Sequence, residues 1–291
     1  MSDFATPTAI YPSPRQVSRL ALVAIPLSYL VAPALGRFHP PHLGVAAAEL
    51  VLLALVAAYI RRHRWQPENL LLLNAAPTAS FVLAGAAGLG ASLLIGEFDL
   101  LVSDVLEALG LRMPLMVERS ALRLYVVRGP VELALAVVSL VAVPAVCEET
   151  FFRGFVFTST CARRGAAWAV VASSLLFGAA HVNPWQLPAL ILFGLFLALL
   201  VYRTHSIYPA ILAHGLNNLL YLAGTNLHAH RGTAFFDPCR HVPLPVTLAA
   251  LALFATCLML LGRQPTWVPL IDHRPLPPAQ RRTPMAGGSA P

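Results

Sequence analysis

Three groups of polar residues fall inside apolar runs of this sequence. The first is Glu148-Glu149-x-x-x-Arg153, in the middle of a run of about 30 residues beginning near residue 130. The second is Phe177-x-x-x-His181, at the end of another run, and the third is His214-x-x-Asn217-Asn218, inside a third. A charge at membrane depth costs at least about 2.5–3.5 kcal/mol, so such residues are rare and face a partner or a cavity. Spacing divides their roles. Glu149 and Arg153 are four apart with the acid first, the favourable order for an ion pair on one helix face. Glu148 is turned about 100° away from Glu149 and has no partner within its own motif. A carboxylate placed so can act as a base toward water. His214 and Asn218 share a helix face, while Asn217 is turned about 100° from Asn218. Imidazole and amide N–H groups can donate to a developing oxyanion. Each group also has a plainer reading: a structural polar cluster for the first, an interfacial histidine for His181, and interhelical glue for the asparagines. Together they supply a carboxylate base, two imidazoles, an amide donor and a charge pair, a set sufficient to hydrolyse a peptide bond.

Other chemistry on the same runs is weaker. Cys147 directly precedes Glu148, but on a helix its thiol points about 100° away from that carboxyl, which disfavours a thiol nucleophile. Glu49 and Glu132 are further acids on apolar runs, read as helix-packing partners or as residues near an interface. Glu148, His181 and His214 would form a possible zinc set. No His-Glu-x-x-His motif is present, so a metal-independent site is favoured and a divalent metal is left open. No other cofactor is expected.

These residues need elements to carry them, and composition says what those are. Hydrophobic residues make up 57% of the 291-residue chain and charged residues 11%, against about 25% charged in an ordinary soluble domain. The solvent for such a surface is lipid. The expected fold is an all-α, polytopic membrane helical bundle of about eight transmembrane helices. Spans are expected near 18–36, 43–60, 78–97, 130–160, 166–182, 187–203, 206–223 and 243–262. Ala84, Gly88 and Ser92, four apart, would let two helices approach closely. Residues 98–129 mix acids and arginines with apolar residues and suggest an amphipathic segment at the interface. The chain then divides into a disordered lead (1–16), N-terminal membrane helices with the interfacial segment (17–129), a core bearing the three motifs (130–225), a loop and last span (226–263), and a disordered Pro/Arg-rich tail (264–291).

All 20 basic residues are arginine, which with abundant Ala and Pro suits a GC-rich, bacterial genome. They sit at the ends of apolar runs and not on one aromatic-interleaved face, so a nucleic-acid partner is not expected. Twelve arginines at or beyond the span ends lie on the side of the two termini and seven on the other. The positive-inside rule therefore places both termini in the cytoplasm, with the chain integral to a bacterial inner membrane. The four cysteines lack CxxC spacing and read as small buried hydrophobes rather than a disulfide framework.

The three motifs, in this order, resemble those of the CAAX-protease and bacteriocin-processing (Abi) family of intramembrane proteases, over about residues 130–225. The resemblance implies that Glu148 activates a water, His181 accepts and returns a proton, and His214 and Asn218 hold the oxyanion. Glu149, Arg153, Phe177 and Asn217 would support the site. It also implies an endopeptidase acting near one end of a membrane-associated protein or peptide, such as a leader peptide or a C-terminal sorting tail, within the lipid bilayer. The alternatives are a non-enzymatic immunity or scaffold protein on the same fold, and a proton-coupled transporter. A second copy of the double-Glu motif would favour the transporter, and none is present.

Overall fold

A computed structural model describes residues 11–36, 40–237, 240–265 and 270–271; most of the expected lead and tail, and Cys239, lie outside them. The helices are α1 (Pro14–Gly36), α2 (Pro41–His63), the single turn α3 (Pro67–Leu70), α4 (Thr78–Ala108) and α5 (Leu115–Tyr125). They continue as α6 (Pro130–Arg164), α7 (Ala166–Ala180), α8 (Leu187–Thr204), α9 (Tyr208–Arg231) and α10 (Leu244–Gly262). No strand occurs among the described residues, and the chain is an all-α membrane bundle. All eight expected spans exist as helices. Six of them are long and apolar enough to cross a membrane; α7 is shorter, and α9 falls outside the six although it has 24 residues. The polar groups of α9 are the reason: His214, Asn217, Asn218, Asn226, His228 and His230 all lie on it.

Two sequence expectations change in detail. α1 starts at Pro14 and Tyr11 is buried, so order begins inside the expected 1–16 lead. The expected interfacial segment 98–129 is two things. Its first part, through Ala108, continues α4, because no Gly or Pro lies between Gly96 and Gly110 to stop the helix earlier. Only α5 is a separate amphipathic helix; none of its described side chains is buried, and Leu115, Met116 and Val117 are exposed beside Glu118 and Arg119.

Lipid is as apolar as a leucine side chain, so packing and polar links, not expulsion of water, hold such helices together. α6 lies at the centre, touching α2, α7, α8 and α9. Its Phe151, Phe152, Phe155 and Phe157 are almost wholly enclosed, and rings that large gain dispersion contacts on all sides. Two stretches of α6, Val137–Ala142 and Thr150–Phe157, are wound as π-helix on either side of the double-Glu motif. Such widened turns are rare and often accompany functional sites.

The small-residue stripe of α4 does what its spacing suggests. Ala84, Ala87 and Ala91 are buried, and a Cβ at Gly88 would stand 3.1 Å from the Cα of Ala213 on α9. Ala213 adjoins His214, so this contact also sets the depth of a motif residue. Gly88→Val should therefore lower stability by about 1–3 kcal/mol, the usual cost of overpacking. Thermal unfolding in detergent checks this; an unchanged midpoint would mean that α9 moves away freely.

At one end of the bundle the connection into α10 is clasped to α4. His241 Nδ1 lies 2.8 Å from Glu97, its Nε2 lies 2.9 Å from Asp104, and the Val242 amide donates to Glu97 at 2.8 Å. His241 lies outside the spans. Hydrogen bonds to Glu97 and then Asp104 raise its pKa above the ordinary 6.5. A raised value means that the protonated ring makes the clasp. The clasp is complete below pH 6.5 and is lost as pH rises through the raised value. Hydrogen exchange at Val242, corrected for its intrinsic rate, should show protection falling over that rise. His241→Gln should remove the pH dependence.

Candidate active site

The three motifs meet where α6, α7, α8 and α9 come together. On α6, Glu149 and Arg153 form the expected ion pair: Nη1 donates to Glu149 Oε1 at 2.8 Å, and both side chains are fully enclosed. The pair holds even though the π winding starts at Thr150, between the two residues. Arg153 is further anchored across helices. Its Nη2 donates to the Gly194 carbonyl on α8 at 3.0 Å, and its guanidinium lies 4.4 Å from the centroid of the Phe177 ring. Gly194 suits that role, because a Cβ there would stand 3.0 Å from the Ser174 Cα on α7. The ring of Phe177 also meets both histidines, lying tilted at 4.7 Å from His181 and edge-on at 6.0 Å from His214.

His214 joins the same pair. Its Nδ1 lies 2.9 Å from Glu149 Oε1, the atom that also accepts from Arg153. A carboxylate oxygen only accepts, so the Nδ1 proton of His214 points at Glu149 and leaves Nε2 for other work. This assignment was not legible in the sequence, where His214 stood only with Asn218. Asn218 takes a 3.3 Å hydrogen bond from its neighbour Asn217, despite their angular separation on α9.

Glu148 faces a different partner. It is 8% exposed, and its Oε2 lies 3.9 Å from His181 Nε2. His181 Nδ1 bonds the Phe177 carbonyl at 2.8 Å. A carbonyl can only accept, so that bond fixes the ring proton on Nδ1 and turns the Nε2 lone pair to the carboxyl. Hydropathy alone would put His181 near a span end and Glu148 mid-helix. The 3.9 Å separation shows that they share one depth, because α7 stops at Ala180 and His181 closes it. Val182 follows in the left-handed region, at φ 49°, turning the chain into the uncharged connection toward α8.

The two acidic–imidazole contacts are therefore separate: Glu148 with His181, and Glu149 with His214. Among the described residues no three His, Cys, Asp or Glu side chains gather as a metal-binding group. His214 engages Glu149 through Nδ1 alone, so a metal at the suggested set of His181, His214 and Glu148 would be held by the Nε2 atoms of the two rings and the Glu148 carboxylate.

Asn226 and His42 escaped the sequence reading, whereas Glu132, Glu49 and Cys147 did not. Asn226 binds the Val127 amide and the Tyr125 carbonyl, and so fixes the entry to α6. His42 reaches the Leu124 carbonyl at 2.9 Å. Glu132 accepts from the Arg128 amide at 2.8 Å, closing the start of α6. Glu49 on α2 has an enclosed oxygen, Oε2, without a hydrogen-bond partner. Cys147 is buried, next to Glu148 in the chain, and Cys147, Cys161 and Cys257 are all free thiols. The stripe His214, Asn218, Asn226 along α9 was a readable signal for Asn226. No spacing signal could have paired α2 with α6.

Residues 130–220 match the family described as type II CAAX prenyl endopeptidase Rce1-like. No curated protein and no solved structure gives a match.

Proposed function

We propose, from the match of residues 130–220 to the type II CAAX prenyl endopeptidase Rce1-like family, that this chain is an intramembrane endopeptidase using a glutamate-activated water. The observation that carries the reading is the pairing of Glu148 with the oriented His181. One is a carboxyl with an unpartnered oxygen, and the other is an imidazole whose free nitrogen faces it. In this scheme Glu148 takes a proton from a water, and the oxygen attacks the scissile carbonyl carbon. The negative charge forming on the carbonyl oxygen is met by N–H donors from Asn218 and from His214 Nε2. For Nε2 to donate while Nδ1 also donates, the His214 ring must carry both protons, and the Glu149 carboxylate supplies the counter-charge. Collapse of the tetrahedral species breaks the C–N bond. His181 Nε2 relays the proton from Glu148 to the leaving amine, so the glutamate ends as it began. Arg153, Phe177 and Asn217 position these groups.

The substrate proposed is a membrane-associated protein or peptide cut near one end, with the enzyme in a bacterial inner membrane and both termini cytoplasmic. The test is cleavage of a quenched-fluorescence, lipid-anchored peptide library by the purified protein, with and without a strong chelator. Cleavage that persists in chelator supports the scheme. Cleavage abolished by chelator and restored by zinc would overturn it.

A further inference from the structure

His181 closes α7, and the chain just beyond it is strained. The amides of His181 and Val182 reach back only three residues, to the carbonyls of Gly178 and Ala179, at 3.2 Å each. Val182 then takes φ 49°, an outlier for a β-branched residue. Its side chain is 69% exposed, so packing on that side chain does not hold the conformation. Strain of this kind persists only where the surroundings over-determine it.

The next residue supplies the constraint. Asn183 Oδ1 accepts from the Trp185 amide at 3.2 Å and from the Gln186 amide at 3.4 Å. Its Nδ2 donates to Gln186 Oε1 at 2.7 Å. Pro184 between them has no N–H to offer and fixes its own φ. The tightened turn is then tied to a different part of the bundle. Gln186 Nε2 donates to Asp99 Oδ2 on α4 at 3.4 Å, and the Trp185 indole N–H donates to the Leu111 carbonyl just past α4 at 2.8 Å. This end of α4 is itself held by the His241 clasp. A cap for the start of α8 needs only the bonds from Asn183 to the two amides. It does not need the two links to α4 and its extension, nor a strained residue between Asn183 and His181.

We propose that Asn183 is a positioning residue for His181: with Trp185 and Gln186 it closes the connection from α7 to α8 into a clamp, anchored at the end of α4, that keeps Val182 left-handed and His181 at the depth of Glu148. The inference rests on the protease reading for its kinetic consequence, and on geometry alone for its effect on the His181 ring. Without the clamp Val182 relaxes to negative φ and the path of the chain leaving His181 changes. The 2.8 Å bond from Nδ1 to the Phe177 carbonyl and the 3.9 Å approach of Nε2 to Glu148 are then released.

Nitrogen-15 NMR of the detergent-solubilised full chain, labelled at histidine, reads the ring directly. The His181 signals are assigned by their loss in His181→Gln. At a pH about two units above the ordinary histidine pKa, the ring proton should sit on Nδ1 in the wild type and in Asn183→Asp, which keeps the Oδ1 acceptor. In Asn183→Ala the proton should be shared between the two nitrogens, as in a freed ring. Unmoved His181 signals in Asn183→Ala would overturn the proposal, since a cap of α8 alone leaves the ring as it was. Should that variant not accumulate, Trp185→Phe removes only the indole donor and should move the same signals; no movement there would overturn the clamp. In the cleavage assay Asn183→Ala should lose about tenfold or more in kcat at unchanged KM, while Asn183→Asp should stay within about threefold of the wild type. Equal losses in the two variants would remove the role from Oδ1 and overturn the proposal. If no sample cleaves, wild type included, the protease reading fails, and the NMR result still decides whether Asn183 holds His181.

Discussion

Glu148→Ala should abolish cleavage while the protein accumulates in the membrane as the wild type does. The expected loss in kcat is at least about a hundredfold, the lower end of what a positioned base contributes. The protein should stay folded because Glu148 gives little to the fold: its Oε2 has no hydrogen-bond partner, and its contact to His181 is 3.9 Å long. Glu148→Gln is the sharper variant, since it keeps the shape and removes the basicity. Peptide release measured beside thermal unfolding separates the two effects. A Gln variant retaining half the wild-type rate would remove Glu148 from the chemistry and leave the family's fold without the proposed mechanism.

The second large effect is on stability. Arg153→Met should prevent accumulation of folded protein or cost about 3–5 kcal/mol, the usual result of stripping one partner from a buried pair. Glu149 would be left fully enclosed with only His214 to answer its charge. The Gly194 carbonyl would lose its donor and the Phe177 ring its cation. Adding Glu149→Gln to Arg153→Met removes the stranded charge, so the double variant should recover much of the loss. That non-additivity distinguishes an electrostatic cost from a packing cost. If the double variant is as unstable as the single one, the long arginine stem and its packing carry the stability instead.

The contrast between neighbouring glutamates was half legible in the sequence. The four-residue spacing of Glu149 and Arg153 and the 100° turn to Glu148 are local facts, and helical geometry converts them into roles. The apolar runs likewise marked the positions of eight helices, six of them long and apolar enough to cross a membrane, since length and hydropathy need no tertiary knowledge. What remained hidden depends on which helices touch. His214 meets Glu149 across 65 positions of chain. The shared depth of His181 and Glu148 depends on where α7 ends within the bundle. The run-on of α4 to Ala108 was missed for another reason: acids scattered after Gly96 look interfacial by composition, but several of them bind the loop that carries His241 and the connection before α8.

The π windings of α6 bear on how such a chain tolerates change. A 35-residue α-helix would extend roughly 50 Å, well beyond a hydrocarbon core of about 30 Å. In a regular helix a lost or gained residue rotates everything beyond it by about 100°. Each π turn holds slack of the opposite kind, because closing it to α winding absorbs a residue. A single deletion within Thr150–Phe157 would be taken up by closing the π turn to α winding, so the helix from Thr158 onward would keep its present faces. Across divergent chains this stretch should therefore accept the loss of one residue more readily than the regular turns that flank it.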